Sequence, residues 1–137
     1  MFFKKKEDAS QQKNFIKITA LLIHAAKIDE NYSEEEEEII KKTLIKLGVE
    51  NSQLNNILRD AKKIEENSNQ ILLFTKEVKS MSDEKKIQII EALWQIIYSN
   101  KEADMYETSL MRRLGGLLYI DSKTMGAIKE KIKKEFA

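Results

Sequence analysis

Two short stretches of this chain carry oxygen-bearing side chains at positions one, three, five and eight of a turn. The first is Asp29, Asn31, Ser33 and Glu36, and the second is Asn100, Glu102, Asp104 and Glu107. Alternate positions in a tight turn point towards a common centre. Carboxylate, amide and hydroxyl oxygens are ligands for hard divalent cations, with calcium or magnesium favoured. Each stretch begins like the first half of an EF-hand loop and then departs from it. Glu34 and Met105 stand where the turn glycine would be, and Ile40 and Met111 where the bidentate glutamate would be. The same residues have a second reading. Ser33 with Glu36, and Asp104 with Glu107, have the spacing of capping boxes, and acids at a helix N-terminus are stabilising without an ion. Spacing alone leaves both readings open.

Little else in the sequence has the makings of a reaction. There are no cysteines, which excludes thiol catalysis, thiolate zinc sites and iron–sulfur clusters. The one histidine, His24, lies between Lys17 and Lys27 on a polar helical stripe and reads as a surface or interhelical residue. No Ser–His–Asp triad can be built. Twenty-four basic against 23 acidic residues give a net charge of +1, so no nucleic-acid partner is expected. The basic run from Lys129 to Lys134 is broken by Glu130 and Ile132 and reads as a solvated helix face. Trp94, Tyr98 and Phe74 fit either a core or a ligand groove, the core being the commoner meaning of aromatics at helical spacing.

The elements that must position these loops are helices. Proline is absent and only four glycines occur in 137 residues. From Gln12 to Ile28 the polar residues Asn14, Lys17, His24 and Lys27 fall on one stripe and nearly everything else is apolar, which predicts a central helix. Ser33 to Gly48 predicts a second helix, and a third follows Asn51 or Ser52. Ser68 can cap a fourth. Ser82 starts a second central helix through Leu93, Trp94 and Ile97. A sixth helix runs from Asp104 towards Leu117, weakened by Gly115 and Gly116, and a last one opens at Asp121 or Ser122.

The chain also aligns with itself without gaps at an offset of 71 residues, the distance from Glu36 to Glu107. Ile18 meets Ile89, Leu22 meets Leu93, Leu47 meets Leu118, and the pair Lys62 and Lys63 meets Lys133 and Lys134. The expectation is an all-α, single-domain helical bundle of about seven helices. It would be built from two pseudo-twofold-related three-helix repeats, residues 15–64 and 86–135, joined by a linking helix. Residues 1–14 are expected to form a flexible basic segment before the domain at 15–137. The polar stretch from Glu7 to Asn14 leaves no place for the apolar core of a signal peptide, which suggests a cytoplasmic protein.

The run Ala25, Ala26, Lys27, Ile28, Asp29, followed by Tyr32, Ser33, Glu34, Glu35 and Glu36, and by Glu91, Ala92, Leu93 and Trp94 before the second loop, resembles the tellurite-resistance TerB-like family. The resemblance covers Phe15 to Lys134. It implies an all-helical domain with duplicated halves, an acidic loop in each half proposed to hold a metal ion, and association with stress responses and membrane-linked complexes. In one branch the resemblance implies association with a DnaJ-type co-chaperone, but no J-domain is read in this sequence. It departs from the family's usual loop in having Glu30 and Lys101 at the glycine positions and Asn100 for the second aspartate, so the first loop has the better ligand set.

The function expected on these grounds is a non-enzymatic scaffold or stress-response module with protein partners, binding a divalent ion through its loops. Two alternatives belong to other classes. One is a metal-dependent hydrolase, disfavoured because no nucleophile or general base stands beside the carboxylates. The other is a peripheral membrane adaptor using Phe2, Phe3 and Lys4 to Lys6.

Overall fold

The structure is a computed structural model that describes residues 2–27, 33–67, 72–99 and 105–136, with side chains over 13–27, 33–67, 74–99 and 109–136. The described residues form an all-α bundle. Its elements are α1 (Phe2–Ala26), α2 (Glu34–Lys46), a 3-10 turn (Asn51–Gln53), α3 (Leu54–Glu66), α4 (Leu72–Lys79), α5 (Asp83–Tyr98), α6 (Met105–Leu117) and α7 (Ser122–Glu135).

The two apolar helices occupy the centre, as their narrow polar stripes require. In α1, Ile18, Ala20, Leu21, Leu22, Ile23, Ala25 and Ala26 are buried, while Lys17 and His24 are only half-buried and Lys27 is exposed. In α5 the sequence from Ile89 to Tyr98 is buried except at Glu91 and Gln95. The two helices touch; α1 packs chiefly on α3 and α4, and α5 chiefly on α7. All of these residues belong to one continuous core.

Among the described residues, side chains cap three of the helix starts. Ser33 caps α2, Ser82 accepts from the Lys85 amide at α5, and the Asp121 carboxylate accepts from the Thr124 amide at 2.7 Å to open α7. The last contact holds the Asp121 carboxyl below the usual carboxylate range. Helix α1 begins at Phe2 rather than near Gln12. The backbone of the segment expected to precede the domain therefore continues the first helix, since no glycine or proline lies between Phe2 and Phe15 to stop it.

Several element boundaries recur at the 71-residue offset. Helix α2 spans Glu34–Lys46 and α6 spans Met105–Leu117. Both end in the same wrapped C-terminal motif. The Val49 amide donates to the Leu44 carbonyl at 2.9 Å, and 71 residues later the Ile120 amide donates to the Gly115 carbonyl at 2.9 Å. The residue that turns the chain is left-handed in both, Gly48 at φ 108° and Tyr119 at φ 58°. Gly48 adopts that conformation freely, whereas Tyr119 is strained in it.

Candidate functional site

The first acidic stretch is described from Ser33 onwards. The Ser33 amide and hydroxyl both donate to Glu36 Oε1 at 2.9 Å, and the Glu36 amide donates to Ser33 Oγ at 3.1 Å. This is the complete capping box expected from the spacing. The Glu36 side chain is fully buried, an unusual position for a carboxylate, and the two donors from Ser33 help offset its loss of water. The cap accounts for Ser33 and for one Glu36 oxygen. Asp29 and Asn31 lie outside the described residues, as do Asn100, Glu102 and Asp104. Glu107 lies in the first turn of α6, but its side chain is also outside them. Among the described residues no group of three or more His, Asp or Glu side chains is gathered as a metal site would gather them. Ser33 and Glu36 thus fit a cap, and the side chains of the remaining ligand candidates lie outside the described residues.

A second charged cluster joins α1 to α3. Glu65, almost fully buried, accepts from Lys27 Nζ at 2.7 Å and lies 3.4 Å from His24 Nδ1. His24 is therefore interhelical, as its stripe suggested. Its partner has a structural explanation: a carboxylate this buried needs a cation, and the α1 stripe supplies two basic side chains. Lys17 similarly donates to Glu77 of α4 at 2.9 Å. These contacts fix α1 against its neighbours.

An apolar cleft lies elsewhere, between α6 and α7. It encloses about 400 Å³ and is lined in part by Trp94, Met111, Met125, Gly115, Gly116 and Gly126, with Arg112 and Lys129 among its polar residues. Trp94 is buried and stacks on Tyr98 with ring centroids 5.8 Å apart, so the core reading of the aromatics holds. Trp94 is also a wall of this cleft. Its indole Nε1 is buried without an acceptor, a defect that ordinarily costs about 1–3 kcal/mol. Sequence reasoning missed this site because it took Gly115 and Gly116 as losses of helix propensity. The signal available was the replacement of Leu44 and Ile45 in the first half by two glycines in the second.

No helix among the described residues is long and apolar enough to cross a membrane. Comparison with curated proteins gives no match, and neither does comparison with solved structures. A family model described as tellurite resistance protein TerB matches residues 15–130, the greater part of the chain and the span that holds α5, the buried part of α1 and both acidic stretches. The chain belongs to the TerB family of tellurite resistance proteins.

Proposed function

We propose that this TerB-family domain is a non-enzymatic interaction module of a cytoplasmic stress response, engaging protein partners and taking a divalent cation at its first acidic loop. The family match over residues 15–130 carries this reading. The chain's own chemistry supports it: the one histidine is engaged with Glu65, and Ser33 is engaged in a helix cap. Asp29 and Asn31 are the residues that would supply new ligand oxygens, because they precede the cap and have no part in it. Calcium or magnesium suits such an all-oxygen set.

Calorimetric titration of the full chain with calcium, magnesium, manganese and zinc tests the loop. Binding that Asp29→Asn weakens and Asn100→Ala leaves unchanged supports the proposal. No heat, and no shift in Tm, at millimolar concentrations of all four ions overturns the metal part and leaves the acids as caps. Divalent-dependent turnover of nitrophenyl esters or phosphodiesters that is lost in Asp29→Asn would overturn the non-enzymatic part in favour of a hydrolase. Vesicle cosedimentation that requires residues 1–6 would favour a membrane adaptor.

A further inference from the structure

The cleft between α6 and α7 has three features that together describe a ligand. The first is room. A methyl group placed on Gly116 or Gly126 would meet no heavy atom within 4 Å, so these two glycines border open space, and a volume of about 400 Å³ lies within the range of small-molecule sites. The second is an apolar lining in which Met111, Met125 and Ile120 join the Trp94 ring. Methionine side chains adapt to the shape of what they touch. The third is charge. Arg112 on α6 and Lys129 on α7 line opposite helices of the cleft, and no acidic residue is among its described lining residues. Neither cation forms an ion pair with a described carboxylate, and Lys129 Nζ lies 5.4 Å from the centre of the Trp94 ring.

An apolar cleft with two cations and no acid is complementary to an amphipathic anion. We propose that the α6–α7 cleft is a binding site for a small monocarboxylate with an apolar body, such as a medium-chain fatty acid. Its chain would lie along Trp94, Met111 and Met125 where the glycines leave space. Its carboxylate would meet the Arg112 fork, whose planar donors match two carboxylate oxygens, with Lys129 opposite. This site is independent of the acidic loops, so it stands or falls separately from the cation proposed there.

Trp94 is the sole tryptophan of the chain, so its emission reports on the cleft without a label. Decanoate, decanol and decyltrimethylammonium, each below its micelle concentration, would be titrated into the full chain and followed by Trp94 fluorescence and by calorimetry. The expected result is saturable binding of decanoate, at least tenfold tighter than that of either the neutral or the cationic analogue. Arg112→Gln combined with Lys129→Gln should weaken decanoate at least tenfold and leave decanol unchanged. Gly126→Leu should abolish binding by filling the space, and it replaces a helical glycine by a better helix former, so circular dichroism should show the fold retained. Gly116→Leu provides a second filling variant from the opposite helix. The proposal is overturned if decanoate gives no saturable response at millimolar concentration, if the cationic analogue binds as well as the anion, or if a folded filling variant binds decanoate undiminished.

Discussion

Each half of the molecule has a cleft between its second and third helices, at corresponding places in the chain. Between α2 and α3 it encloses about 340 Å³ and is lined by the acids Glu37 and Glu66 and the bases Lys41, Arg59, Lys62 and Lys63, among others. Charges of both signs line it, and Lys62 donates to Glu37 across it at 3.1 Å. Between α6 and α7 the corresponding cleft has Gly126 where the first has Asn55, Lys129 where it has Leu58, and Thr108 in the sequence where it has Glu37. Gly115 takes the place of Leu44, which is fully buried, so a large core side chain of the first half has no counterpart in the second. Similar helix boundaries thus frame a cleft lined by both acids and bases in one half and, in the other, an apolar one lined by two cations without an acid among its described residues. The buried cluster of Glu65 with His24 and Lys27 is likewise confined to the first half, because the corresponding residues are Phe136, Gln95 and Tyr98.

The largest effect should come from removing the side chain that distinguishes the first half. Leu44→Ala, a fully buried truncation, should lower stability by about 2–5 kcal/mol in chemical denaturation. A midpoint equal to that of the wild type would break the comparison, since it would mean that Leu44 is as dispensable as the side chain Gly115 lacks. Ser33→Ala should cost about 1 kcal/mol by removing the α2 cap, whether or not a cation binds nearby.

Opposite in sign and smaller, Gly126→Ala and Gly116→Ala should each stabilise by about 0.5–1 kcal/mol, because the added methyl enters open space and improves helix propensity. Gly115→Ala should gain less. Its methyl would stand 3.2 Å from Met125 Cγ, so the flexible methionine must give way before the propensity gain is felt. Differential scanning calorimetry of the three variants orders them, and equal gains at all three positions would contradict the close approach at Gly115.

The left-handed turns offer a finer contrast. Gly48→Ala should destabilise, since φ is 108° there, while Tyr119→Gly should relieve strain but lose the contact of Lys79 Nζ, 4.5 Å from the Tyr119 ring centre. The smallest effect is a pH dependence. The folded-state pKa of Asp121 is depressed, so its cap on α7 is fully present above the ordinary carboxylate pKa and is lost as pH falls through the depressed value. Asp121→Asn should flatten that acid-side loss in a pH series of denaturation midpoints.

Much of this architecture was legible because helices advertise themselves twice, by their polar stripes and by their caps. The stripe of Asn14, Lys17, His24 and Lys27 marked α1 as central, and the Ser33–Glu36 spacing marked the start of α2. The start of α1 was not legible, since Phe2 to Asn14 has fair helix formers without an amphipathic pattern to place them. The α6–α7 cleft was hidden for a different reason. A glycine in a helix reads as a propensity loss in one dimension, and only packing reveals whether the missing side chain leaves a space or admits a neighbour. Gly116 and Gly126 leave a space, whereas Gly115 admits Met125. Trp94 was equally ambiguous, because a single indole can serve the core with one face and wall a cleft with another part of its ring.

The difference between the two clefts can be measured in one experiment, a nitrogen–proton correlation spectrum of the full chain titrated with decanoate. The Trp94 indole N–H and the amides of Gly115, Gly116 and Gly126 should shift together and saturate, while Leu44, Asn55 and Leu58 in the first half stay in place. Shifts spread equally over both clefts, or confined to α2 and α3, would contradict the account.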